Sequence, residues 1–194
     1  KLNIHYTNIQ NICEAKNSSM KTLEEWQYPI GKCVYHDEYT PALLKQYITD
    51  ISTLPLRLEH AVQSLSEEQL QTPFREGGWT IQQVIHHLAD SHLNCLLRLK
   101  FALTEDNPTI KPYQEDLWAK TADYQLPFNV ATTLLFAIHK KIVCLLTSLT
   151  TEQLHRTYYH AQYQRSFRIM DVMCLYAWHG NHHLAHITNA PLTS

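Results

Sequence analysis

Four histidines fall within eight residues near the C-terminus, in the run Tyr176-Ala177-Trp178-His179-Gly180-Asn181-His182-His183-Leu184-Ala185-His186. Three more, His86, His87 and His92, lie in an earlier segment that also reads as helix. Neutral imidazole is a ligand suited to zinc, nickel, copper or ferrous iron. Side chains four apart are neighbours on a helix surface, so His179 and His183 can converge on one ion. At about 100° per residue they differ by about 40° and share a face with Val172 and Tyr176. His182 and His186 form a rival pair at the same spacing, rotated toward the flank, and spacing does not choose between the two. A three-histidine set leaves positions open for water or substrate, the arrangement of a catalytic metal. Such an ion could acidify a coordinated water and polarise an ester or amide, or hold a small thiol as thiolate.

On the earlier helix Ile81, Ile85, Leu88, Cys95, Leu96 and Leu99 make one apolar stripe. His92 falls at its centre, which predicts a packed, hydrogen-bonded core histidine. His87 lies on a narrow polar strip with Asp90, Asn94 and Arg98, so it is the member best placed to meet the C-terminal pair across a groove. His86 turns away beside Leu97. Asp90 suits an orienting or capping role toward the ligands rather than ligation, and no separate general base stands out. Gly180 costs its helix roughly 1 kcal/mol relative to alanine. It either lets another helix approach closely or leaves room above a metal. Tyr113, Trp118, Tyr158, Tyr159, Tyr163 and Trp178 could line a pocket, although packing is the commoner use of such rings.

The elements that must position these groups are helices. Only four glycines occur and alternating strand patterns are nearly absent, so the class is mainly α. Thr40-Pro41 is an N-cap followed by proline at the first helical position, opening a segment toward Ser64. Pro55 inside it implies a kink or two abutting helices. Ser66-Glu67-Glu68-Gln69 has capping-box spacing and starts a short helix before Pro73. After the Gly77-Gly78-Trp79 turn, Thr80 and Gln83 form a second box, and that helix runs to about Leu103. Residues 106–128 hold three prolines and no firm period, a connection long enough to line a site. A third long helix spans roughly 129–148, with Val130, Leu134, Leu135, Ile138, Ile142, Leu145 and Leu146 apolar. Residues 155–168 suggest a short β excursion, and the last helix runs from about Ile169 to Thr188.

The chain of 194 residues suits one domain, assigned to 20–194, with residues 1–19 as an extension that is disordered or foreign to the fold. A formal charge of −2, with acidic and basic residues interspersed, offers no field for nucleic acid. The five cysteines are widely spaced without a C-x-x-C pair, which fits a reducing, cytoplasmic setting. Cys95, Cys144 and Cys174 fall inside helical patterns, where a thiol serves as a small apolar filler. The apolar stretches look too interrupted for a membrane span, and no secretory signal is evident. No P-loop, dinucleotide turn, G-x-S-x-G elbow or H-E-x-x-H occurs.

Gly77-Gly78-Trp79-Thr80-Ile81-Gln82-Gln83-Val84-Ile85-His86-His87-Leu88-Ala89-Asp90-Ser91-His92, taken with Tyr176-Ala177-Trp178-His179-x-x-His182-His183-Leu184-Ala185-His186-Ile187, closely resembles the YfiT branch of the DinB-like superfamily. Tyr28-Pro29-Ile30-Gly31-Lys32, Lys111-Pro112-Tyr113 and Trp118 are similar to that branch as well. The resemblance runs from about Tyr28 to Ile187. It implies an all-α, up-down-down-up four-helix bundle with short extra helices and a long loop. It also implies one divalent ion per subunit, zinc or nickel, held by His87, His179 and His183. Members are described as metal-dependent hydrolases, cytoplasmic and homodimeric, and related branches include thiol-dependent S-transferases. The expectation is therefore a hydrolase-like enzyme acting on a small molecule, with a low-molecular-weight-thiol transferase or a metal-binding bundle without turnover as alternatives.

Overall fold

The computed structural model describes residues 21–192; the expected extension 1–19 lies outside the described residues. Four long helices carry the fold: α2 (Pro41–Val62), α4 (Ile81–Thr104), α6 (Phe128–Ser148) and α8 (Ile169–Thr188). Short elements join them: α1 (Leu23–Gln27), α3 (Glu67–Leu70), β1 (Thr109–Ile110), α5 (Glu115–Trp118), a 3₁₀ turn over Ala122–Gln125, α7 (Thr151–Leu154), β2 (Thr157–His160) and β3 (Arg165–Arg168). The starts are set locally. Thr40 caps α2 ahead of Pro41, and reciprocal capping boxes open α3 at Ser66 and α4 at Thr80.

Side-chain ties give the direction of each rod. Tyr39 bonds Asp171 and Arg57 bonds Asn181, so α2 and α8 run together. Gln82 reaches the Leu126 carbonyl at one end and Arg156 reaches Ala102 at the other, so α4 and α6 also run together. Arg98 meets Tyr176 while His87 meets His179, so α4 opposes α8. The order is up, down, down, up. The parallel α4–α6 pair requires the long connection between them to cross the bundle lengthwise, and residues 105–127 supply it.

The core divides into two apolar clusters. One contains Ile51, Cys95, Leu99, Ile138, Ile142, Val172 and Tyr176; the other contains Leu54, Leu58, Ile85, Leu88, Leu135 and Ile187. Where they meet, buried His92 and His139 cross the bundle as a polar layer. Pro55 stays within a continuous α2 rather than dividing it. It has no N–H to give the carbonyl of Ile51, four residues earlier. His139 Nδ1 from α6 takes that place against the Ile51 oxygen.

Three expectations need correction. Val130 and Leu134 face outward, 47% and 42% exposed, so the buried stripe of α6 is narrower than its apolar composition suggests. By length and composition α6 is apolar enough to cross a membrane, contrary to the sequence reading, but its Leu135, Ile138, Ile142 and Leu146 are buried in the bundle. Cys144 is exposed rather than filling the core, whereas Cys95 and Cys174 are buried. The expected β excursion is present as the β2–β3 hairpin, and β1 adds a parallel strand to it that periodicity did not suggest.

Candidate metal centre

The box at Thr80 fixes the helical phase of α4 so that His87, 2% exposed, points toward α8. On α8 the Arg168–Asp171 pair closes the N-terminal turn, and His179 and His183 follow on the face opposite His87. One ring nitrogen from each of His87, His179 and His183 lies within 4.8 Å of the others. The Nε2 atoms of His87 and His179 are 3.2 Å apart. The structure thus brings these three imidazoles together.

Burial lowers the pKa of His87 to about 4. Burial, then neighbouring imidazoles, hold His179 and His183 well below the usual range. All three are therefore neutral donors near pH 7, the form that binds metal. The spacing also suits an ion. Two nitrogens sharing a tetrahedral cation at about 2.0–2.1 Å stand about 3.3 Å apart, close to the separation of the two Nε2 atoms. Two bare lone pairs at that distance would repel without a proton or cation between them. The donor set fits a divalent metal.

The rival histidines serve elsewhere. His182, His183 and His186 also form a cluster within 4.8 Å. However, His186 Nδ1 contacts His183 Nδ1 at 3.3 Å, its Nε2 faces the Gln27 carbonyl at 3.2 Å, and its ring stacks on Phe74. His182 stacks on Trp178. His86 Nε2 lies 3.0 Å from the Leu126 carbonyl and ties the crossing loop to α4. His92 is fully buried and hydrogen-bonded, as its place in the apolar stripe predicts, and its partners are His139 Nε2 at 2.9 Å and His179 Nδ1 at 3.3 Å. Asp90, expected to orient the ligands, instead accepts from Tyr124 Oη at 2.9 Å, and among the described residues no hydrogen bond joins it to the three histidines.

A cavity of about 390 Å³ opens beside the cluster. Trp79, Trp178, Tyr113, Tyr158 and Tyr163 contribute aromatic wall, and Arg98, Glu115 and His160 contribute polar wall. Of the aromatics singled out in the sequence, Trp118 and Tyr159 stand outside it. The long connection supplies Pro112, Tyr113 and Glu115, so it lines the site as its length suggested. Several buried polar atoms on this wall have no hydrogen-bond partner: His87 Nδ1, Tyr113 Oη, His160 Nδ1 and His182 Nδ1. Buried polar groups are normally satisfied, so this concentration marks a place for a polar ligand. Sequence reasoning missed His139 and His160, and it gave the Tyr28–Gly31 turn only as part of the resemblance; that turn reaches the cavity through Tyr28, and the Gly31 carbonyl accepts from Trp178 Nε1. His139 had a signal: it lies four residues after Leu135 and three before Ile142, in the buried stripe of α6.

The fold and site define a four-helix bundle, with parallel and antiparallel neighbours, in which histidines of α4 and α8 cluster at metal-ligand spacing beside one cavity. The DinB superfamily profile matches residues 51–187, and the chain belongs to that superfamily. A relative from Oceanobacillus iheyensis, provisionally named a metal-dependent hydrolase, is 47% identical over 163 residues, covering 84% of this chain and 94% of its own. A Bacillus cereus protein of the same provisional name is 44% identical over 167 residues, covering 86% of this chain and 96% of its own. The solved structure of Bacillus subtilis YfiT, described as a probable metal-dependent hydrolase with an unusual four-helix bundle topology, superposes with a TM-score of 0.83 at 37% identity, covering 84% of this chain and 94% of that one. The chain is a YfiT-type member.

Proposed function

We propose that His87, His179 and His183 hold one divalent ion, zinc or nickel, and that the protein hydrolyses a small molecule seated in the adjoining cavity. The observation that carries this reading is the convergence of three neutral imidazoles, within 4.8 Å of one another, at the wall of that cavity. When bound, such an ion supplies Lewis acidity toward an ester, amide or other electrophile and acidifies water that it coordinates. The chain's own groups bind and orient the substrate. Arg98 donates to Tyr176 Oη at 3.2 Å and has no carboxylate in ion-pair range among the described residues, leaving its charge for an acidic group of the substrate. Glu115 stands on the cavity wall, where burial raises its pKa and Arg98 opposes the rise. Trp79 and Trp178 give the cavity apolar walls that limit water.

Arg98, which has no ion-pair partner among the described residues, also favours a second reading: transfer of an acidic low-molecular-weight thiol to an electrophile on the same site. Elemental analysis of protein purified without an affinity tag, followed by parallel ester, amide and thiol-conjugation screens, tests both. The expected result is about one equivalent of a divalent metal and metal-dependent cleavage. Conjugation without cleavage would replace the first reading by the second, and absence of metal would remove both.

A further inference from the structure

A neutral imidazole has one N–H and one lone pair, whereas a backbone carbonyl only accepts. Two carbonyls near the site therefore dictate the proton positions of a whole series of histidines. Ile51 has lost its helical donor to Pro55, and His139 Nδ1 lies against its oxygen, so that nitrogen carries the proton. His139 Nε2 is then a lone pair, and His92 Nδ1, 2.9 Å away, must donate to it. His92 Nε2 in turn accepts from His179 Nδ1 at 3.3 Å. What remains on His179 is a bare Nε2 lone pair, 3.2 Å from His87 Nε2.

The same count runs inward from α1. Gln27 offers a carbonyl to His186 Nε2 at 3.2 Å, so His186 Nδ1 is a lone pair that accepts from His183 Nδ1 at 3.3 Å. His183 is left with its lone pair on Nε2. Both series hold only if the rings are neutral. Burial ensures that: His92, His139 and His186 are 0%, 2% and 5% exposed, and among the described residues none of them bonds a carboxylate that could offset a charge.

We infer that His139 and His92 are positioning residues, locking His179 in its Nδ1–H form so that its Nε2 lone pair is already aimed at the metal position, and that His186 does the same for His183. An Nε2–H form would point a proton at the cation and could not ligate through that atom. Fixing the tautomer before binding removes that competition, and groups behind a ligand commonly tune metal affinity in this way. The consequence for affinity rests on the metal-site reading above; the proton arrangement does not, because it is set in the metal-free protein.

The test begins with metal-free protein carrying ¹⁵N-labelled histidine side chains, examined by two-bond ¹⁵N–¹H correlation spectra. His139, His92, His179 and His183 are expected to show Nδ1–H, and His186 Nε2–H. A proton on Nε2 of His92 or His179 overturns the inference. Zinc affinity, measured by competition with a chelator, supplies a second readout. His92→Leu removes the acceptor behind His179 and should weaken zinc binding about 10–100-fold. His92→Gln places an amide oxygen near the lost Nε2 and should recover most of that affinity. Equal losses in the two variants would mean that His92 acts through packing alone and would overturn the role assigned to it. If wild-type protein binds neither zinc nor nickel, the metal reading falls while the spectra still decide the proton arrangement.

Discussion

Gly180 on α8 lies directly against Leu54 on α2: a Cβ at position 180 would overlap the Leu54 Cδ2 methyl and lie 3.3 Å from Cδ1. Of the two reasons for a glycine between His179 and His183, the close approach of two parallel helices is the one the packing supports. Leu54 is 1% exposed and has little room to yield. Gly180→Ala gains about 1 kcal/mol of helix propensity but overpacks the contact at a cost of about 1–3 kcal/mol. The expected net effect is a loss of roughly 1 kcal/mol in urea unfolding. Combining it with Leu54→Ala should cost less than the two single changes added together, by about 0.5–3 kcal/mol. A stabilised Gly180→Ala protein would show that the helices are not in contact there.

Acid should destabilise the metal-free protein well before its carboxylates protonate. Burial holds His87 and His139 near pKa 4 in the fold, whereas imidazoles of an unfolded chain titrate near 6.5. Between those values the unfolded chain binds more protons, so folding stability is complete above about pH 6.5 and declines as pH falls toward 4. Each such group contributes a slope of at most about 1.4 kcal/mol per pH unit. Urea midpoints measured from pH 7.5 down to 4.5 should fall steadily once below 6.5. A flat profile would mean that these rings are solvated or charged in the native state.

Much of the frame is legible because its signals are local. The caps at Thr40, Ser66 and Thr80 stand at the starts of α2, α3 and α4, since each needs only a side chain and an N–H three residues on. The polar strip of α4 likewise placed His87 toward α8, because helical phase follows from spacing alone. What spacing cannot convey is which rows meet a partner. Val130 and Leu134 have the right period but face outward, and His139 has the same period but faces Ile51. The link from Pro55 through Ile51 to His139 depends on the relative rotation of α2 and α6, which no local pattern encodes. Asp90 shares the polar strip of His87, yet Tyr124 from the crossing loop claims its carboxylate.

Asp171 ties the start of α8 to the chain that precedes α2. Arg168 donates to its Oδ1 and Oδ2 at 2.9 and 3.0 Å, and Tyr39 Oη donates at 2.9 Å. The same guanidinium reaches the carbonyls of His36 and Asp37. Burial pushes the Asp171 pKa up, but the hydrogen bonds from Arg168 and Tyr39 outweigh it and hold the carboxyl below its ordinary value. Its stabilisation is thus present above the unfolded carboxyl pKa and disappears as pH falls through the folded one. Asp171→Asn should cost about 1.5–3 kcal/mol at pH 7, measured by urea unfolding, with amide exchange quickened over residues 36–39. The gap from wild type should narrow in strong acid. A gap independent of pH would mean that the contact does not depend on charge.

His182 and His183 are adjacent in sequence and both face the cavity, which makes them the sharpest comparison available on this helix. Only His183 lies within 4.8 Å of the nitrogens of both His87 and His179; His182 shares its cluster with His186 and stacks on Trp178. His183→Ala removes one of three donors and should strip the metal while leaving the helical circular dichroism unchanged. His182→Ala should keep the metal and alter substrate affinity through the loosened Trp178 wall. Metal content by elemental analysis, measured side by side on the two variants, checks the assignment. Loss of metal from both variants would transfer the centre to the flank cluster of His182, His183 and His186, and the cavity would then need a different account.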